Sequence, residues 1–311
     1  MKSIKSILGM LAIVMIMAAC NKSEITSRNG IAYKVITEGS EKTSEKGDYL
    51  VLNMMYKEKD TDSLWYDTAE NMPQVIQQED SMWMAGDQMV QVIFAEMNEG
   101  DSVTFDISAE DLFTKTWNQQ VPPGIDPAKV IQFNIGLERI LKQDELMAWY
   151  QEAMDKQRVK MEKQAEEQLA IDQEIISAYL SENGIEATPT ESGIFIEMLE
   201  EGSGKEANTG DTVRVAYAGY KLDGQFFDTS YEDLAREKNL YQEGRPYQPY
   251  EFVLGQGMVI RGWDEGITEL QEGDKARFFI PSTLAYGPQQ RSEVIGPNSI
   301  LVFDLELVEV K

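Results

Sequence analysis

The segment "VIRGWDEGI", Val259 to Ile267, sets tryptophan, the largest side chain, between two glycines and just after two β-branched residues. Val259, Trp263, Ile267 and Leu270 recur at steps of four, four and three, which is one face of a short helix. Gly262 and Gly266 lie on another face, where the missing Cβ lets a second backbone come close. A tryptophan so placed belongs, on its own, to a core. Its surroundings are strand patterns. "TVRVAYAGY" alternates Val213, Val215 and Tyr217 against Thr212, Arg214 and Ala216, and "ILVFDLELVEV" sets Leu301, Phe303, Leu305 and Leu307 on one side. Gly210-Asp211, Asp223-Gly224 and Gly273-Asp274 punctuate them as turns. The expectation is an antiparallel sheet curled around one short helix, with Trp263 in the concavity. Tyr217, Phe227, Tyr286 and Phe303 fall near strand ends and supply an apolar cup.

The pattern occurs twice. "NGIAYKVITEGSEKTSEKGDYL" from Asn29 and "SGIFIEMLEEGSGKEANTGDTV" from Ser192 share Gly-Ile, Glu-Gly and Gly-Asp at a constant offset. Each continues to an aromatic–Asp–Thr step, Tyr66-Asp67-Thr68 and Phe227-Asp228-Thr229. "MNEGDSVTFDI" then parallels "LQEGDKARFFI", and "KVIQFNIGLERI" parallels "SILVFDLELVEV". Two α+β modules follow, over 29–141 and 186–311. Between them, 142–185 holds no proline and no glycine before Gly184, and its composition predicts one long helix. Roughly forty residues at 1.5 Å each give a helix of about 60 Å. Its apolar stripe is Leu146, Tyr150, Met154, Met161, Leu169, Ile176 and Leu180, and Asp155 to Gln168 is almost wholly polar. The ends are therefore expected to pack on the modules and the centre to be solvated.

Composition removes several chemistries. The 311 residues carry a net charge of −26, so there is no basic stripe to neutralise phosphates and nucleic acid is not an expected partner. With no histidine, Ser-His-Asp and Cys-His catalysis and His-ligated metals are excluded; no metal or cofactor is expected. The single cysteine, Cys20, allows no intramolecular disulfide. "MKSIKSILGMLAIVMIMAAC" has Lys2 and Lys5, an apolar run too short to span a bilayer, and small residues before Cys20. It resembles a bacterial lipoprotein signal over 1–20, with Cys20 lipidated and 21–28 a tether; an ordinary cleaved signal with a chance cysteine is the alternative. The first reading implies a lipid-anchored protein of a bacterial cell envelope, at the outer membrane facing the periplasm, with surface display the other orientation.

"VAYAGYKLDGQFFDTS", "VLGQGMVIRGWDEGITELQEGDKARFFIPSTLAYG" and "IGPNSILVFDLELVEV" together resemble the FKBP-type peptidyl-prolyl cis-trans isomerases over nearly all of 186–311. The resemblance implies a twisted antiparallel sheet wrapped around a short helix, in two such modules joined by the long helix. It implies Trp263 as the floor of a proline pocket, with Tyr217, Phe227, Val259, Ile260 and Phe303 as walls. Tyr250 stands where a wall phenylalanine belongs. Asp228 and Tyr286 become the polar groups of catalysis at the rim, and Val294 and Ile295 come from a flap loop. Proline-containing unfolded or exported polypeptides are the implied partners, macrolide inhibitors the implied ligands. An insertion at 231–245 leaves the pocket-side arginine open between Arg236 and Arg245 as partners of Asp228. Carried through the repeat, Met54 replaces Tyr217, Val90 replaces Trp263 and Phe113 replaces Tyr286, while Asp67 and Phe133 match Asp228 and Phe303; Trp83 falls outside the register. The first module is thus expected to be a degenerate scaffold. The alternative function for the whole chain is a non-catalytic client-binding chaperone or scaffold of the envelope.

Overall fold

The computed structural model describes residues 24–27, 30–69, 71–78, 93–94 and 96–311. The signal segment with Cys20, and also Trp83 and Val90, lie outside the described residues. The chain divides into two compact units, Met1–Gln157 and Arg158–Lys311.

In the first unit the strands are β1 (Ile25–Thr26), β2 (Ala32–Thr37), β3 (Tyr49–Glu58), β4 (Leu64–Asp67), β5 (Gln74–Gln77), β6 (Ser102–Ser108) and β7 (Val130–Leu141). They form one sheet in the order β1-β2-β6-β7-β3-β4, with β5 also on β3. A short helix α1 (Ala109–Asp111), capped by the Ser108 hydroxyl, runs into a π-helical turn, Leu112–Thr116. Ile25 and Thr26, placed by the sequence in a tether, instead pair with Tyr33 and Ala32 as an edge strand. Two β-branched residues beside an unpaired strand edge suffice for that.

After α2 (Gln143–Asn183), the second unit contains β8 (Thr188–Pro189), β9 (Phe195–Glu200), β10 (Thr212–Lys221), β11 (Phe226–Thr229), β12 (Tyr250–Val253), β13 (Lys275–Ile280) and β14 (Leu301–Val310). The sheet order is β11-β10-β14-β13-β9-β8, with β12 on β10. Element for element this is the order of the first sheet, and every pairing in both is antiparallel. Two further helices, α3 (Glu232–Glu237) and α4 (Arg261–Gly266), complete the unit.

Alternation decides which side chains face α4. Val213 and Val215 on β10, Phe278 and Ile280 on β13, and Leu301, Phe303, Leu305 and Leu307 on β14 share one core with Trp263 and Ile267. A Cβ at Gly262 would lie 2.4 Å from Ile280, and one at Gly266 2.5 Å from Phe278. The two glycines therefore admit side chains of β13, not the second backbone that their spacing suggested. On the opposite sheet face, Phe279 and Val302 pack with Ile176, Tyr179 and Leu180 of α2. At the start of α2, Trp149 packs with Val51 and Leu141 of the first unit. The stripe read from the sequence is right at Ile176 and Leu180 but displaced by one at Tyr150, which is exposed beside the buried Trp149. Met154 is likewise exposed where Ala153 packs with Trp149, and Met161 is exposed, as the polar centre of the helix predicts.

Candidate functional site

A cavity of about 1160 Å³ opens above α4 in the second unit. Its base is Trp263, 4% exposed. The indole meets the edges of Tyr217 and Phe303 at ring-centroid distances of 5.2 and 5.1 Å, and Phe227 meets Phe303 edge-on at 5.5 Å. Such edge-to-face contacts hold aromatic walls apart at fixed angles where stacked faces would close the space. One glycine keeps it open: a Cβ at Gly219, on the inner face of β10, would lie 2.7 Å from Phe303 and 2.8 Å from Phe227. The Trp263 indole N–H is buried and finds no partner among the described residues.

The loop ahead of α4 is pinned from within the helix. Asp264 accepts hydrogen bonds from the Gly255 and Gly257 N–H groups, both at 2.9 Å. These glycines take positive φ, +77° and +66°, which makes the tight turn accessible. Ile260 follows in extended conformation as the helix N-cap, and its carbonyl accepts from the N–H of Trp263 at 2.9 Å. Val259 and Ile260 thus face the cavity beside the indole.

The polar rim centres on Asp228. Its carboxylate accepts from the Tyr217 hydroxyl at 2.8 Å and from the Thr229 N–H at 2.8 Å. Arg245 completes the group, pairing with Asp228 at 2.7 Å and donating to the Tyr217 hydroxyl at 3.2 Å. Burial first, and the Asp228 carboxylate next, push the Tyr217 hydroxyl well above the usual tyrosine range, so it stays a donor at neutral pH. The sequence left the arginine open; the structure selects Arg245. Arg236 instead pairs with Glu232 at 2.6 Å and lies 3.5 Å above the Tyr241 ring. The insertion folds as α3 and returns through Gln242 to Pro249 along the cavity wall.

Of the residues expected from the sequence, Tyr217, Phe227, Asp228, Tyr250, Val259, Ile260, Trp263, Tyr286, Ile295 and Phe303 all line this cavity, and Val294 does not. Tyr250 stacks on Phe252 at 5.5 Å at the outer wall. Arg291 sets its guanidinium 5.5 Å from the Tyr286 ring. Arg214, Ser230 and Ser292 were not anticipated; only the folded register brings them to the wall. Among the described residues no group of three His, Cys, Asp or Glu side chains could hold a metal ion.

Comparison with known proteins now decides the family. The model of the FKBP-type peptidyl-prolyl cis-trans isomerases matches residues 203–308. The FK506-binding protein of Neisseria meningitidis serogroup B is 41% identical over 118 residues, which are 38% of this chain and 96% of that protein. The chain belongs to the FKBP-type peptidyl-prolyl isomerases. A second relative, the probable FKBP-type isomerase FkpA of Neisseria meningitidis, is 38% identical over 43% of this chain and 44% of its own length. The crystal structure of FkpA from Escherichia coli shares 33% identity over 54% of this chain and 71% of its own, with a TM-score of 0.37. By the match over residues 203–308 and the 41% identity to a relative covered almost entirely, an FKBP-type domain, and with it isomerase activity, resides in the second unit.

The equivalent place in the first unit is built differently. Phe133 faces Tyr56 across β3 and β7, as Phe303 faces Gly219 across β10 and β14, so Tyr56 occupies the position of the glycine. Its ring stacks on Phe133 at 4.7 Å and on Tyr66 at 5.3 Å, and meets Trp117 at 6.1 Å. The hairpin register also corrects the sequence match. Tyr56 pairs with Tyr66 and Met55 with Asp67, whereas Gly219 pairs with Asp228 and Ala218 with Thr229. Tyr66 therefore stands at the position of Asp228, and Asp67 at that of Thr229. Matching the aromatic–Asp–Thr steps directly missed the one-residue shift. Met54 and Phe113 are buried in the core of the unit.

Proposed function

We propose that the isomerase reaction of this chain takes place in the Trp263 cavity. An X–Pro amide crosses a barrier of about 18–20 kcal/mol because rotation breaks resonance. The twisted amide has less charge separation than either planar form, so a dry aromatic cup favours it relative to the ground state. The proline ring rests on Trp263 between Tyr217, Phe227 and Phe303. The Tyr286 hydroxyl and the Ile260 N–H hold the flanking carbonyls, and Asp228, fixed by Arg245 and Tyr217, faces the rotating one. Rate enhancement comes from positioning and environment, with no nucleophile and no proton transfer. The observation that carries this reading is the buried indole framed edge-on by Tyr217 and Phe303. It is tested by the cis-to-trans rate of an Ala-Phe-Pro peptide with the full chain and its Trp263→Ala and Asp228→Ala variants.

The clients are proline-containing unfolded or exported polypeptides, and the chain assists their folding in the envelope of a bacterium, held by a lipid on Cys20. The signal-like first twenty residues support that location. Macrolides of the FK506 type, after which several relatives are named, compete for the same cup. For the first unit a second reading is favoured by Tyr56, which occupies the cup from inside: this unit is a degenerate scaffold that holds clients or partners without catalysis.

A further inference from the structure

The family model begins at residue 203, yet the second unit buries a charged group far upstream of it. Asp172 lies on α2 and is 1% exposed. A carboxylate at such depth needs donors for its oxygens, because an unmatched buried charge is costly. Both donors of Ser282 supply them. The Ser282 N–H reaches Asp172 Oδ2 at 2.7 Å and its hydroxyl reaches the same oxygen at 2.6 Å. Gln168, one turn earlier on the same helix face, donates to Oδ1 at 2.8 Å.

Ser282 opens the short loop that ends in Tyr286. Its carbonyl accepts from the N–H groups of Ala285 at 2.9 Å and Gly287 at 2.8 Å, so both backbone neighbours of Tyr286 hang on Ser282. The Gly287 carbonyl accepts in turn from the Asn298 N–H at 2.7 Å. Asn298, at the base of the flap that carries Ile295, closes the circuit by donating from its side-chain amide to Gln168 Oε1 at 3.1 Å. One turn of α2 therefore holds both segments that border the cavity on its Tyr286 side. The helix cannot drift from the sheet, because Ile176, Tyr179 and Leu180 pack on Phe279 and Val302. Close contact continues at Gly193, where a Cβ would lie 2.4 Å from the Gln173 amide.

We infer that Asp172 is a positioning residue for the isomerase pocket, fixing the Tyr286 hydroxyl through Ser282, and that the working domain therefore begins on α2. The inference rests on the proposed role of the Trp263 cavity and adds to it a helix that the family's own span does not contain. A misplacement of about 1 Å at a substrate-holding group is enough to cost up to about hundredfold in rate.

The test uses the full chain in four forms, wild type, Asp172→Asn, Tyr286→Phe and the double variant, with kcat/KM for an Ala-Phe-Pro peptide and the urea midpoint of each. Asparagine keeps the shape of Asp172 but cannot accept both Ser282 donors at full strength. The expected result is a loss of about tenfold for Asp172→Asn, with less than about twofold further loss when Tyr286 is already phenylalanine. A purely stabilising role would lower the midpoint and cut the rate equally in both backgrounds, and that result overturns the inference. So does an unchanged rate for Asp172→Asn, or for Tyr286→Phe, since there would then be no hydroxyl to position. If Asp172→Asn does not fold, Ser282→Ala, which removes one of the two donors, takes its place in the same cycle with the same criteria. Trp263→Ala, measured alongside, decides separately whether the cavity is the site at all.

Discussion

The two units share a strand order but differ at the centre of the sheet, at one pair of facing residues. In the second, Gly219 faces Phe303 and leaves room for a ring between Phe227, Tyr217 and the indole of Trp263. In the first, Tyr56 faces Phe133 and fills that room with its own ring. Among the described residues, the same scaffold thus leaves a space at this position in one unit and fills it with an aromatic ring in the other. The polar rim differs as well, since Tyr66 replaces Asp228 in the hairpin register. Core sequence is exchangeable where only volume matters; an open cup demands a residue with no volume at all.

The strongest way to break this comparison is to close the open cup. Gly219→Ala puts a Cβ against two aromatic rings, and the account predicts a loss of at least about hundredfold in kcat/KM, with circular dichroism reporting a retained sheet. Nearly as large is the effect of removing the floor. Trp263→Ala is expected to lower the rate by a similar factor and, as a large-to-small change in a core, to cost about 3–5 kcal/mol of stability in urea denaturation. Next comes the rim. Arg245→Ala releases Asp228 and the Tyr217 hydroxyl together, with an expected loss of about tenfold in kcat/KM and little change in the urea midpoint, because both charges are partly solvated.

Smaller effects sharpen the comparison instead of breaking it. The chain has no histidine, and the reaction as drawn moves no proton, so kcat/KM is expected to be flat from about pH 6 to pH 9. Stability behaves differently at high pH. The raised Tyr217 hydroxyl keeps its proton in the folded chain where the unfolded chain gives it up. Stability is then intact below about pH 10 and falls above it, and Tyr217→Phe removes that part of the fall. The smallest expected effect is in the first unit: Tyr56→Gly opens its cup but leaves Tyr66 at the rim. No isomerase activity should appear in a chain whose second cup carries Trp263→Ala.

The recurrence of Val259, Trp263 and Ile267, with the β-alternation around it, made the curled sheet and the buried indole legible from the sequence. The wall residues were named by the family resemblance of their motifs, and the structure brings them to the same cavity. Gly219 was not legible, since a glycine within a strand shows no partner until the opposite strand is in register. The same lack of register misplaced Asp67, where a one-residue slip changes which side chain faces the cup. Arg245 was hidden by the insertion, whose path back to the cavity has no periodic signal. Asp172 was hidden by the helix, where an acidic residue among many reads as solvated until its donors are seen.

The central claim is that the open aromatic cup of the second unit is the site of X–Pro rotation. Its most direct test is the cis-to-trans rate of an Ala-Phe-Pro peptide with the full chain and with Trp263→Ala, each shown to be folded. Acceleration by the wild type that falls by about hundredfold in the variant is the predicted result. Equal acceleration by both would contradict the account and move the chemistry away from Trp263.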